Sequence, residues 1–110
     1  MTTIDSHDYF QSEDSNVLLM LREISDKVTY SILTSTMSSP KTASEICCEY
    51  KLPLSSTYKK IQKLHQSGLI SIEKIQFDSK GKKILYYQSK IKSLEVNINQ
   101  QGLALQLVRR

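Results

Sequence analysis

Lys59 and Lys63 stand one helical turn apart, with Ser55, Ser56 and Gln62 close by in sequence, and Lys80, Lys82 and Lys83 cluster around Gly81. Ammonium groups at such spacing suit phosphate oxygens or guanine edges, while Ser and Gln are short or bidentate readers of base edges. The chemistry on offer is recognition of a polyanion. Charge distribution points the same way: from Lys51 to Lys92 there are ten lysines against two acids, Glu73 and Asp78. A basic segment of this kind is an electrostatic footprint for nucleic acid, but a solvated lysine-rich surface has the same composition. Position in the fold has to separate the two. Thr42 opens a short helix, where backbone donors would meet a phosphate. Thr42, Ser55 and Ser56 are also capping types, so a purely structural role stays open for each.

Catalytic and metal chemistry find no constellation. There is no Gly-rich phosphate loop and no His-Asp pair beside a Ser or Cys, and Glu45 and Glu49 read as a solvated i,i+4 pair. An enzyme is not expected, and neither is a cofactor. Cys47 and Cys48 are adjacent, and neighbours on regular backbone do not make an ordinary disulfide. Nothing completes a tetrahedral site around them, so no metal is expected. His7 and His65 have no ligand partner in the pattern. The longest apolar run, Val17 to Leu21, is far below the ~20 residues that cross a bilayer. The first residues carry neither a basic nor an apolar signal region. A cytoplasmic protein with no membrane partner is expected.

The elements that must position these groups fit one domain. The chain has 110 residues, 39% hydrophobic and 24% charged, with a formal net charge of +4. Residues 1–14, polar and aperiodic, carry four acids and no Lys or Arg and read as a flexible acidic tail. Val17, Leu21, Ile24, Val28 and Ile32 recur at helical spacing, and Ser25-Asp26 interrupts them with a cap-forming pair. Two helices are predicted, roughly 16–24 and 26–37. Thr42-Ala43-Ser44-Glu45 reads as a capping box opening a short third helix. Pro53 forces the chain out of helix, Ser55 is the next cap candidate, and Thr57, Ile61 and Leu64 form the inward stripe of a fourth helix. On that helix Ser55, Ser56, Lys59, Gln62 and Lys63 face away from the core, with Tyr58 at the margin. Gly68 closes it.

From Leu69 the period becomes two. Ile70 and Ile72 alternate in one phase and Ile75 and Phe77 in the other, which predicts a bulge near Glu73-Lys74. Residues 78–81 turn, and Ile84 to Gln88 return. A second hairpin follows, with Leu94, Val96 and Ile98 on one arm and Leu103, Leu105 and Leu107 on the other. The expected fold is α+β, mainly α: four helices, a β-hairpin wing and a second C-terminal β-hairpin. Residues 15–90 form the winged helix-turn-helix unit, and residues 91–110 form an extension of it.

The resemblance to a family lies in three places. Ile24-Ser25-Asp26 followed by Ile32-Leu33 resembles the first corner of ArsR-like regulators, and Thr42-Ala43-Ser44-Glu45-Ile46 resembles their first helix-turn-helix element. The stretch Leu52-Pro53-Leu54-Ser55-Ser56-Thr57-Tyr58-Lys59-Lys60-Ile61, with Leu64 and Gly68-Leu69-Ile70, is similar to the second helix of archaeal members. The resemblance covers residues 16–88 and implies a DNA-binding transcriptional regulator, a homodimer on double-stranded DNA. Helix 56–67 would enter the major groove, and the basic wing 78–83 would lie on the backbone or minor groove. The implied contacts are Thr42, Ser55, Ser56, Tyr58, Lys59, Gln62, Lys63, Lys80, Lys82 and Lys83. Two departures stand out. Lys41 to Ser44 occupy the place where metal-sensing members carry a Cys-x-Cys pair, so metal sensing is not expected. Lys51 stands where a Gly is usual, which predicts positive φ on a residue with a side chain. A winged helix can also serve as a protein-interaction module in a transcription or replication assembly, and that is the alternative reading.

Overall fold

A computed structural model describes residues 7–11 and 15–110, with side chains from Leu18 onward. In chain order the elements are β1 (His7–Gln11), α1 (Ser15–Ile24), α2 (Lys27–Ser35), α3 (Ala43–Tyr50), α4 (Leu54–Gln66), β2 (Ile70–Phe77), β3 (Lys83–Ser89), β4 (Ile91–Asn99) and β5 (Gly102–Arg109). The fold is α+β, with four helices and two antiparallel hairpins, β2-β3 and β4-β5. Strands occupy nearly as much chain as helices, so the expectation of a mainly α protein is not met.

Local chemistry explains where α2, α3 and α4 start. Asp26 caps α2, its carboxylate accepting from the Thr29 N–H at 3.1 Å. Thr42 caps α3 through the full reciprocal box: the Glu45 N–H donates to Thr42 Oγ1 at 3.1 Å, and the Thr42 N–H donates to Glu45 Oε1 at 2.8 Å. The end of α3 needs a left-handed residue, and Lys51 takes φ 55, ψ 51. That is the predicted consequence of placing Lys where Gly would relax. Helix α4 departs from expectation at its start: Pro53 holds the N-cap position, without a side-chain cap, and Ser55 lies inside the helix. Pro has the φ that a helix entry needs, so the boundary falls two residues earlier than a Ser cap would put it. Its end is a Schellman turn: Leu69 N–H bonds the Leu64 carbonyl and Gly68 N–H that of His65, with Gly68 at φ 82.

The core lies where the helices meet the base of the β2-β3 hairpin. Ile32 and Leu33 of α2, Ala43 and Ile46 of α3, and Ile61 and Leu64 of α4 pack with Ile70, Tyr87 and Ile91. The hairpin carries the expected irregularity, a register shift between Ile72 and Lys74. It is anchored to the helices by an isolated bridge, in which Lys41 and Tyr87 exchange backbone hydrogen bonds at 2.9 and 2.8 Å.

The amino-terminal segment overturns an expectation. His7–Gln11, within the expected flexible tail, forms an antiparallel strand on β5, making a three-stranded sheet of order β1-β5-β4. The outer edge of β5 presents unpaired N–H and C=O groups, and a strand laid there satisfies them whatever its polarity. The rest of the predicted tail, 1–6 and 12–14, lies outside the described residues. Among the described residues no helix is long and apolar enough to cross a membrane.

Candidate functional site

Helix α4 is the element around which the site is built. Thr57, Ile61 and Leu64 are all buried, as their spacing predicts. At 3.6 residues per turn, the face directly opposite is the exposed stripe Ser55, Lys59, Gln62 and Gln66. Gln66 is missing from the residues expected on this face, although it continues the same period. Ser56 falls on a flank and is half-buried, with its hydroxyl donating to the Pro53 carbonyl at 3.3 Å. Lys63 lies on the same flank, 3.8 Å from Glu23. Tyr58 falls on the other flank, toward the hairpin.

Between α3, Tyr58 and the β2-β3 hairpin is an open cleft of about 540 Å³. One wall is the first turn of α3 with its cap (Thr42, Ser44, Glu45), and the other is hairpin residues including Lys82, Lys83 and Tyr86. The structure therefore brings Thr42, Tyr58, Lys82 and Lys83 to one place. Thr42 is a cap: its hydroxyl oxygen accepts from the Glu45 N–H and its own N–H donates to Glu45, which leaves the hydroxyl proton to donate into the cleft. The N–H groups of Ala43 and Ser44, in the first turn, have no helical acceptor. Glu45, at the same end, offsets part of the favourable helix dipole for an anion.

The hairpin is ordered by its own bonds. The Tyr86 hydroxyl donates to Gln76 Oε1 at 3.0 Å, and the Lys74 ammonium sits 4.8 Å from the Tyr86 ring centroid. At the tip, Asp78 Oδ1 accepts from the N–H groups of Lys80 and Lys82, each at 2.8 Å. Lys80, Lys82 and Lys83 are all exposed.

Ion pairing divides the lysines into two sets that composition could not separate. Lys60 lies 3.3 Å from Glu23 and 3.8 Å from Asp26, Lys63 reaches Glu23, and Lys41 pairs with Glu49 at 2.8 Å. These charges are offset within the protein, and Lys60 ties α4 to α1 and the start of α2. Among the described residues no such acid pairs with Lys59 on the exposed face of α4, with Lys82 and Lys83 in the cleft wall, or with Lys80 at the hairpin tip; Lys27, Lys51, Lys74 and Lys90, placed elsewhere, have none either. Thr29 and Lys60 also act on Asp26: the Thr29 N–H bond, chiefly, and the Lys60 charge hold its carboxyl below the usual range. Burial, with a smaller effect from Tyr58, pushes the Tyr87 phenol up.

A second depression, about 170 Å³, is apolar and lies on the other side of the helices, lined by Ile24, Tyr30, Leu33, Thr34, Met37, Ile91 and Leu94. Leu18 and Leu19 of α1 and Val96 and Ile98 of β4 are exposed as well. Cys47 is half-buried and Cys48 exposed, and among the described residues no group of three or more metal-ligating side chains occurs. No protein-family model matches the chain, and no curated protein does.

Proposed function

We propose that the protein is a DNA-binding transcriptional regulator of the winged helix-turn-helix type, similar to ArsR-like regulators. Helix α4 reads base edges in the major groove, and the β2-β3 hairpin acts as a wing on the backbone or minor groove. The observation that carries the reading is the division of the lysines. Among the described lysines without an acid partner, Lys59 lies on the exposed stripe of α4 and Lys80, Lys82 and Lys83 lie around the hairpin tip. Ser55, Lys59, Gln62 and Gln66 are the base readers on this view. Lys63, drawn toward Glu23, is secondary. The activity needs no cofactor or metal, and the protein works in the cytoplasm. The apolar depression and the exposed leucines of α1 fit a second copy, giving a homodimer on a two-fold site.

The test begins by selecting a preferred duplex from a random pool and titrating it against random DNA at several salt concentrations. Lys59→Ala and Gln62→Ala should each cost roughly 1 to 3 kcal/mol on the selected duplex and little on random DNA. Lys82→Ala and Lys83→Ala should weaken both alike and lower the salt slope by about 0.9 for each phosphate no longer neutralised. Equal losses on both duplexes for the α4 variants would reject that helix as the reader. No binding to any duplex would favour a protein-interaction module instead.

A further inference from the structure

Phe77 ends β2 and is 66% exposed, and Ile75, two residues back on the same strand face, is 50% exposed. Both continue the face on which Leu85, opposite Ile75, packs against the core. Beyond Leu85 the apolar strip runs out from the body of the protein toward the hairpin tip. Its surroundings are cationic. Phe77 lies directly across from Lys83, and Lys80 and Lys82 follow in the turn. The nearest acid, Asp78, spends Oδ1 on two backbone N–H groups of that turn.

The tip is also rigid. The Asp78 N–H bonds the Lys82 carbonyl at 2.9 Å, the Gly81 N–H bonds the Asp78 carbonyl at 3.0 Å, and Gly81 takes φ 80. An exposed aromatic ring on a stiff ribbon, flanked by lysines, has the parts of an apolar wedge. Such side chains enter between base pairs from the minor groove, unstack one step and kink the duplex, while flanking cations hold the adjacent phosphates. We infer that Phe77, with Ile75 behind it, is a wedge of this kind and that the protein bends the DNA it binds. The inference rests on the DNA-binding reading above and adds to it selection for deformable sequence. Pyrimidine-purine steps unstack most readily and should be preferred under the hairpin.

The experiment uses the full chain and short duplexes carrying donor and acceptor dyes at their ends, with a fluorescent adenine analogue at a central TA step. Wild type should shorten the end-to-end distance and brighten the analogue. Phe77→Ala should lose both signals at saturating protein, with affinity reduced on the order of tenfold. Phe77→Leu should keep them, since an apolar wedge needs no ring. The Lys80→Ala/Lys82→Ala/Lys83→Ala variant should bind more weakly yet still bend the duplex once saturated. Phe77 is largely exposed, so its variants should keep the wild-type circular dichroism spectrum. Binding without bending, or equal bending by Phe77→Ala, would overturn the wedge and leave the DNA reading intact. Failure of wild type to bind any duplex would overturn both. Tighter, Phe77-dependent binding to phosphatidylserine vesicles than to duplex would reassign the strip to a membrane surface and overturn the wedge.

Discussion

Thr57 is the residue through which the seating of α4 can be measured. It is fully buried, and its hydroxyl donates to the Pro53 carbonyl at 2.7 Å. That carbonyl also accepts from the Thr57 N–H at 3.1 Å and the Ser56 hydroxyl at 3.3 Å, so removing the threonine hydroxyl orphans no acceptor. Thr57→Val therefore loses one ordinary hydrogen bond, about 1 kcal/mol net. The methyl that replaces the hydroxyl returns up to about 0.8 kcal/mol through burial. The net loss should stay below about 1 kcal/mol. Thr57→Ser keeps the bond and removes a methyl, costing about 1 kcal/mol with a small cavity added. Thr57→Ala removes both groups and should cost roughly 2 kcal/mol. Urea unfolding followed by far-UV circular dichroism gives the ranking directly, provided the three variants share one m-value. A Thr57→Val loss equal to or larger than that of Thr57→Ala would refute the reasoning, because the hydroxyl would then be more than one of several donors on a shared carbonyl.

Asp26→Ala should cost about 1 kcal/mol at neutral pH through loss of the α2 cap. Because the folded carboxyl titrates below its ordinary value of 3.8, the wild-type advantage should be present above that value and vanish as pH falls through the folded pKa; denaturant midpoints across the acid range would show it. Tyr87 titrates above its ordinary value of 10.0, so its contribution is present below that value. Stability should be lost as pH rises through the folded pKa, and less so in Tyr87→Phe. Lys51→Gly should be neutral to stabilising by under about 1 kcal/mol, since relief of left-handed strain is offset by glycine's larger unfolded entropy. Lys51→Val should destabilise, and the two midpoints should bracket the wild type.

What is legible in the sequence is local. The Thr42-Glu45 box, the Thr57, Ile61 and Leu64 stripe, the Gly68 stop, the strained Lys51 and the bulge near Glu73 each follow from residues a few positions apart, and each occurs in the fold. What escapes is set by distant partners. His7–Gln11 has no alternating pattern of its own and becomes a strand because β5 offers an edge. Lys60 carries no signal in its own neighbourhood and Lys63 reads as a groove contact; Glu23, some forty residues earlier in the chain, engages both. The cleft between Ser44 on α3 and Asp78 and Tyr86 on the hairpin requires the hairpin to fold back toward α3, which no spacing encodes. Ser55 is displaced as the cap for a smaller reason, since Pro53 already supplies the entry geometry.

A single residue, Lys90, connects β3 to β4 and therefore the hairpin to the three-stranded sheet. Its N–H is bonded to the Leu69 carbonyl at 2.8 Å and its own carbonyl receives the Arg110 N–H at 2.7 Å. A joint held on both sides has no slack. The three-stranded sheet cannot swing away from the hairpin without breaking one of these two bonds. Lys90 is thus a clamped seam between the two sheets, where a bare one-residue linker would have been a swivel.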